Sequence, residues 1–310
     1  MMEKGLDPRA VAEEFGLCIL GSSENKIQMP GSINKQSKNA ILWIKNGDYI
    51  EKIKKGYVVI SSEIAPSYCD NTDITYLVTD SKPKLIFSRI LSKYFDIEDD
   101  AFENYVDEHK RNKNIKIGDN VFIGKDVVIG DNTRIHPNVT IHSRTKIGRN
   151  CVIMTQASIG TEGLGLELDH EKQELVKFPQ IGGVILEDNV ELGPSSTIRR
   201  SALDNTIIKK GTKIGALCNI GHNCIIGENC ILTCSVVTAG SSIIGNNVFM
   251  GVSSIVRNGI NVGNNAVLGQ GSVVTTDITQ GTTVIGSPAM EITKYKAWSN
   301  IKNMLLKKHK

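Results

Sequence analysis

No uninterrupted apolar run of about 18 residues occurs anywhere in the 310 residues, which excludes a membrane-spanning helix. Neither sign of charge dominates, since 36 Lys and Arg face 33 Asp and Glu for a net charge of +3. That balance offers no general field for nucleic acid or an anionic membrane surface. The start, Met1-Met2-Glu3-Lys4-Gly5-Leu6-Asp7-Pro8, lacks the apolar stretch of a secretory signal. Together these absences imply a soluble cytoplasmic protein. Seven cysteines are present, yet no CxxC or HxxxH spacing accompanies them. Cys218, Cys224 and Cys230 are evenly spaced, but at a period that puts each on a different face. They read as small buried apolar residues and not as metal ligands.

What the sequence does have is a period of six. Ile117, Ile123, Ile129, Ile135, Ile141, Ile147, Ile153 and Ile159 follow one another at this spacing. Gly118, Gly124, Gly130, Gly148 and Gly160 each come directly after one of them. Four residues on stands a compact side chain: Val121, Val127, Thr133, Val139, Thr145, Cys151, Ala157. This is neither the helix period nor the strand period. It is a hexapeptide repeat, in which three hexapeptides close one triangular coil of a left-handed parallel β-helix. The period returns from Ile208 through Ile214, Ile220, Ile226, Leu232, Thr238, Ile244, Met250, Val256, Val262 and Leu268 to Val274. Roughly eight coils result, above the three or so that a stable stack needs. Two interruptions stand out: about four extra residues between Ile198 and Ile208, and a longer piece between Ile159 and Val184.

The expected architecture is mainly β, with a small N-terminal α/β domain over 1–112, the β-helix over 113–288 and a C-terminal helix with a basic tail over 289–310. In the first domain, Pro8 to Phe15 and Pro83 to Phe95 read as helices. Ala40 to Ile44, Tyr57 to Ser61 and Ile74 to Val78 read as strands. The charged stretch 96–114 reads as a linker. The excursion over 160–181 mixes Gly163 and Gly165 with carboxylates and Phe178-Pro179, the composition of a functional loop. Trp298, Ile301, Met304 and Leu305 fall on one side of the last helix, which suits a cap on the solenoid end or pairing with copies of itself. The tail Lys307-Lys308-His309-Lys310 follows; steering of an acidic partner and a solvated charged end are both open readings of it.

Among six histidines, His222 stands out. It lies two residues after a core position, so its imidazole leaves the solenoid face and is free to accept a proton. By period alone an exposed histidine without a role is the better explanation.

Three segments carry a resemblance. Phe178-Pro179-Gln180-Ile181-Gly182, then Ile198-Arg199-Arg200-Ser201-Ala202-Leu203-Asp204-Asn205-Thr206, then Ile220-Gly221-His222-Asn223 resemble, in order and spacing, the K-x-P-Q-x-G, T-I-x-R-G-A-L-D-x-T and I-x-H-N motifs of UDP-3-O-acylglucosamine N-acyltransferases. Ile159-Gly160-Thr161-Glu162-Gly163-Leu164-Gly165 is similar to that family's V-G-x-D-G-F-G. The resemblance implies that His222 is the catalytic base and Asp204 its possible orienting partner, with Gln180 and Asn223 as substrate contacts. Trp43, Asn46 and Tyr49 keep the spacing of the family's F-x-x-N-x-x-Y, which binds uracil; an aromatic plane stacks on the base and an amide pairs with its edge. The family implies a homotrimer, a UDP-amino sugar acceptor, an acyl carrier protein or CoA thioester as donor, and no bound cofactor or metal. It belongs to lipid A synthesis.

There are departures. Ile260 stands where the family usually has histidine, Ser201 replaces a glycine, and the C-terminal helix is shorter. Ile285-Gly286-Ser287-Pro288-Ala289 resembles the G-x-P-A close of acetyl-CoA-using hexapeptide transferases. An acetyl-CoA-dependent N-acetyltransferase of a nucleotide-linked amino-deoxy sugar is therefore a second reading, and a non-catalytic scaffold a third. Met250, Leu268 and Met290 are candidate linings for an acyl chain.

Overall fold

The computed structural model describes residues 5–95, 103–110 and 114–308. Two compact units divide the chain: residues 1–98 with 164–181, and residues 99–163 with 182–310. The expected linker is described only in part, and His309 and Lys310 of the basic tail lie outside the described residues.

In the first unit, α1 (Pro8–Phe15) begins after Asp7, whose carboxylate accepts from the Arg9 N–H at 2.8 Å. Gly16 ends it at a φ of 65°, a left-handed conformation that glycine adopts without penalty. Five strands follow: β1 (Cys18–Gly21), β2 (Met29–Pro30), β3 (Ala40–Trp43), β4 (Gly56–Ser61) and β5 (Ile74–Thr79). They lie in the order β1-β5-β4-β3-β2, parallel except for β1. The runs in β3, β4 and β5 are nearly all buried, as a parallel sheet covered on its faces requires. α2 (Pro83–Tyr94) starts on proline, which its first turn tolerates, and buries Leu85, Ile86, Phe87, Ile90 and Leu91.

The excursion from the solenoid belongs to this first unit and is no open loop. Leu166–Asp169 pairs antiparallel with Glu174–Lys177. Lys84 of α2 bonds Glu167 at 2.5 Å, and Arg89 grips Asp169 and also Glu174 at 3.2 Å. The Phe87 and Phe178 rings lie 6.0 Å apart. Residues 164–181, expected with the solenoid, thus fold with the α/β unit because their charges and Phe178 have partners on α2.

In the second unit the period becomes three sheets of eight, seven and ten strands, parallel throughout except for the last pairing of the ten-stranded one. Ile141 is in register with Ile123 on one side and Ile159 on the other, eighteen residues away in each direction. The left-handed parallel β-helix is therefore as expected. Across the excursion the stack resumes with Ile147 beside Leu186, Ile153 beside Leu192 and Ile159 beside Ile198. The residue three after each core position turns the corner at positive φ: Asn120, Asp126, Asn132, Asn138, Arg144 and Asn150 in the first coils. Asparagine and aspartate tolerate that region better than most side chains.

The compact residue at the next position is buried, and often polar for a reason. Thr133 donates its hydroxyl to the Gly148 carbonyl at 2.9 Å and accepts from the Cys151 N–H at 3.1 Å. Thr212 does the same with Gly227 and Cys230. The thiols of Cys218, Cys224 and Cys230 donate to the carbonyls of Thr233, Ala239 and Gly245. Burial pushes all three thiols above their ordinary pKa. No group of side chains that could hold a metal occurs among the described residues.

Residues 103–110, expected with the first domain, cover the first coil of the solenoid. The Tyr105 N–H bonds the Ile123 carbonyl at 2.8 Å, and Asn104 Oδ1 accepts from the Ile123 N–H at 3.0 Å. An open strand edge is thereby closed. At the other end, Thr283–Ile285 pairs antiparallel with Met290–Glu291, and a helix runs over Ile292–Lys308. Trp298, Ile301 and Met304 on that helix are exposed, so this apolar side does not cap the solenoid. No helix among the described residues is long and apolar enough to cross a membrane.

Candidate active site

Ile220 is fully buried in the solenoid core, and two residues on the half-buried His222 leaves the face. Its Nδ1 lies 2.9 Å from Asn223 Oδ1. That oxygen also accepts from the Ala202 N–H at 3.0 Å, which identifies it as the amide's acceptor end. Nδ1 must therefore carry the hydrogen. The neutral ring then has its lone pair on Nε2, ready to take a proton. Asn223 is itself held: it sits at the corner with a φ of 62°, and its N–H donates to Thr206 Oγ1 at 2.9 Å.

Ala202 belongs to the four-residue insertion, which gives that insertion a purpose. The insertion is anchored by the buried Arg200, whose Nε donates to the Gly160 carbonyl at 2.6 Å. Its Nη2 reaches the Ser143 carbonyl and hydroxyl at 3.4 and 3.3 Å. The Arg200 N–H bonds the Thr161 carbonyl, and Arg199 Nη1 bonds the Glu162 carbonyl at 3.2 Å. The segment that leaves the solenoid at Gly160–Gly163 is thus tied to the insertion that fixes Asn223.

Two glycines bracket the imidazole. A Cβ on Gly163 would stand 2.7 Å from His222 Cδ2. A Cβ on Gly240, one coil further on, would stand 2.6 Å from both Cε1 and Nε2. The ring occupies a slot that exists because both neighbours lack side chains.

The other expected residues divide. Asp204 does not orient the imidazole, because the Nδ1 hydrogen goes to Asn223. Its carboxylate has no hydrogen bond or ion pair among the described residues, and its carbonyl accepts from the Gly183 N–H at 3.0 Å. Asn223, expected to touch substrate, has its Oδ1 engaged by both the histidine and Ala202. Gln180 is 2% exposed and packs within the excursion. Its Nε2 reaches the Phe178 carbonyl at 3.4 Å, while its buried Oε1 finds no partner among the described residues. Met250 and Leu268 are fully buried in the solenoid core and line nothing outside it.

In the first unit, Trp43 ends β3 and is half-buried. Open α/β sheets bind ligands beyond such carboxyl ends. Asn46 is exposed, with its Nδ2 on Asp48 Oδ2 at 2.9 Å, and precedes the 3₁₀ stretch Gly47–Lys52. Tyr49 lies in that stretch, with Lys52 Nζ 4.9 Å from its ring centre.

Fold and repeat define the class: a left-handed parallel β-helix built from transferase hexapeptides. The model described as "Bacterial transferase hexapeptide (six repeats)" matches residues 114–143, 126–161 and 205–240, and "Hexapeptide repeat of succinyl-transferase" matches 242–276. Within that class, the chain is similar to the UDP-3-O-acylglucosamine N-acyltransferase of Coxiella burnetii, at 53% identity over 64 residues. The like-named enzyme of Francisella tularensis subsp. holarctica is 48% identical over 64 residues. These matches cover 21% of this chain and 18% and 19% of the two relatives. The solved UDP-N-acetylglucosamine acyltransferase of Francisella novicida superposes with a TM-score of 0.51 at 25% identity, over 58% of this chain and 66% of that one.

Proposed function

We propose that this protein is an N-acyltransferase that moves an acyl group from a thioester to the amine of a UDP-linked amino sugar, with His222 as general base. The observation that carries the reading is the 2.9 Å contact between His222 Nδ1 and Asn223 Oδ1. Asn223 Oδ1 takes the Nδ1 hydrogen and leaves Nε2 as the proton acceptor. An amine attacking a thioester must lose a proton as the C–N bond forms, and a neutral imidazole does this near neutral pH. The same imidazolium can then protonate the leaving thiolate. No metal or redox group is required by this chemistry.

The substrate class rests on two supports. One is the similarity to named UDP-3-O-acylglucosamine N-acyltransferases over 64 residues. The other is the set Trp43, Asn46 and Tyr49, which offers an aromatic face and an exposed amide for uracil beyond the end of β3. The reading includes a cytoplasmic homotrimer in lipid A synthesis, with acyl carrier protein or CoA carrying the donor. A second reading, acetyl transfer from acetyl-CoA to a nucleotide-linked amino-deoxy sugar, is favoured by the Gly286-Ser287-Pro288-Ala289 close.

The test is a donor panel of 3-hydroxyacyl carrier protein, short acyl-CoA and acetyl-CoA against UDP-glucosamine-type and UDP-4-amino-sugar acceptors. The expected result is transfer from the long acyl carrier protein, reduced about 10²- to 10⁴-fold in His222→Ala. Turnover with acetyl-CoA alone selects the second reading. An undiminished His222→Ala removes the base, and silence on every pair returns the solenoid to a scaffold.

A further inference from the structure

Gly240 does more than make room for the imidazole. The point where its Cβ would sit is 2.6 Å from His222 Nε2 and 3.1 Å from Asn258 Oδ1. Asn258 stands at the same place in its coil as Gly240 and His222, eighteen residues on at each step. Nε2 and Oδ1 therefore face one notch from opposite sides, with glycine as its floor. The notch holds a lone pair on Nε2, since Nδ1 bears the hydrogen, and an amide that is free to turn its oxygen toward the notch. Asn258 is exposed, and its amide has no hydrogen bond among the described residues.

A pair of acceptors fits a group with two hydrogens to give. We propose that Asn258 accepts the second N–H of the acceptor amine and so makes the site select amines over hydroxyls. The proposal rests on His222 being the base. A free amine, R–NH2, donates one hydrogen to His222 Nε2 and the other to Asn258 Oδ1. Its nitrogen lone pair attacks the thioester carbonyl; the C–N bond forms and the C–S bond breaks. Nε2 takes the first proton and passes it to the leaving thiolate. The second hydrogen stays on nitrogen, and the amide product still presents it to Asn258. A hydroxyl has one hydrogen, which the base takes, so Oδ1 is left opposite an oxygen lone pair. A site built around a polar partner rejects the ligand that cannot supply it.

The experiment compares UDP-3-O-acylglucosamine with its analogue bearing a 2-hydroxyl, using wild type, Asn258→Leu, Asn258→Asp and His222→Ala. Asn258→Leu should lower kcat/KM for the amine by about 10-fold or more and leave the hydroxyl analogue unchanged, collapsing the preference. Asn258→Asp, which keeps an acceptor, should retain it. A preference unchanged in Asn258→Leu overturns the role of Asn258 while leaving the base intact. A fully active His222→Ala overturns the base as well. A readout free of turnover is the imidazole 15N spectrum of His222 on titration with UDP-glucosamine and with UDP-glucose. The amine should shift it more than the hydroxyl does in wild type, and that excess should be much smaller in Asn258→Leu. An equal excess in the two proteins, or none in wild type, overturns the proposal.

Discussion

Asn223 occupies a corner that needs a left-handed backbone, and its side chain accepts from both Ala202 and His222. A test must separate those duties. Asn223→Ala would remove the amide and also lose asparagine's tolerance of the left-handed corner, where φ is 62°. Asn223→Gly keeps the corner and removes only the amide. The expected outcome is a fall in kcat of about 10²-fold, within the range that a general base supplies, with KM little changed. Asn223→Asp restores an acceptor for the Nδ1 hydrogen and adds a charge that favours the imidazolium. It should recover much of the rate and move the acidic limb of the pH profile upward. A Gly variant with wild-type kcat would show that the tautomer needs no help.

At this scale the sequence is unevenly legible. The buried Ile and compact positions can be read one by one, because a period of six repeats the same environment every eighteen residues. The left-handed corners follow the same period, and the Asn, Asp and Ser found there are its signal. His222 is legible as an outward side chain. The bond from Ala202 to Asn223 is not, since a bulge of irregular length meets the next coil only once the stack is built. For the same reason Asp204, close in sequence to the bulge, looks a better partner for the imidazole than it is.

The excursion shows what an element adds. Its departure from the period is plain, but its hairpin strands are four residues each, too short for a secure pattern. Their partners on α2 lie some eighty residues back, beyond any local signal. Asp169 is the pivot of this element. The Lys172 N–H, then the Glu171 N–H and the Arg89 guanidinium hold its carboxyl below the usual range. A carboxyl depressed in the folded state stabilises the fold above its unfolded pKa, and that contribution fades as pH falls through the folded value. Asp169→Asn should therefore lower the melting temperature most at neutral pH. The gap from wild type should close as the pH is taken below about 4. Melts recorded from pH 7 to 3 check this, and a gap independent of pH would assign the loss to packing.

Over the whole solenoid, the outward residues before each core position change character along the stack. On one face they run Lys116, Arg134, Val152, Glu191 and Lys213, then Ile231, Phe249 and Val267. On a second, Ile185, Ile207, Ile225 and Ile243 stand in one ladder. On the third, Asn219 gives way to Val237, Ile255 and Val273. Side chains that point away from a complete core gain nothing from being apolar in water, and contiguous apolar surface of this kind marks association. Closed rotational symmetry suits a triangular coil, since each copy can offer one face to a neighbour. The expected solution mass is about three times the 33.8 kDa chain. Ile243 and Phe249 are exposed in the single chain, so Ile243→Glu with Phe249→Glu should cost the monomer little. The double variant should elute as a monomer, with an intact β spectrum and a melting temperature that no longer rises with protein concentration. Light scattering decides it: a wild-type monomer would mean that the apolar faces serve another partner, and a trimeric double variant would place the contact elsewhere on the chain.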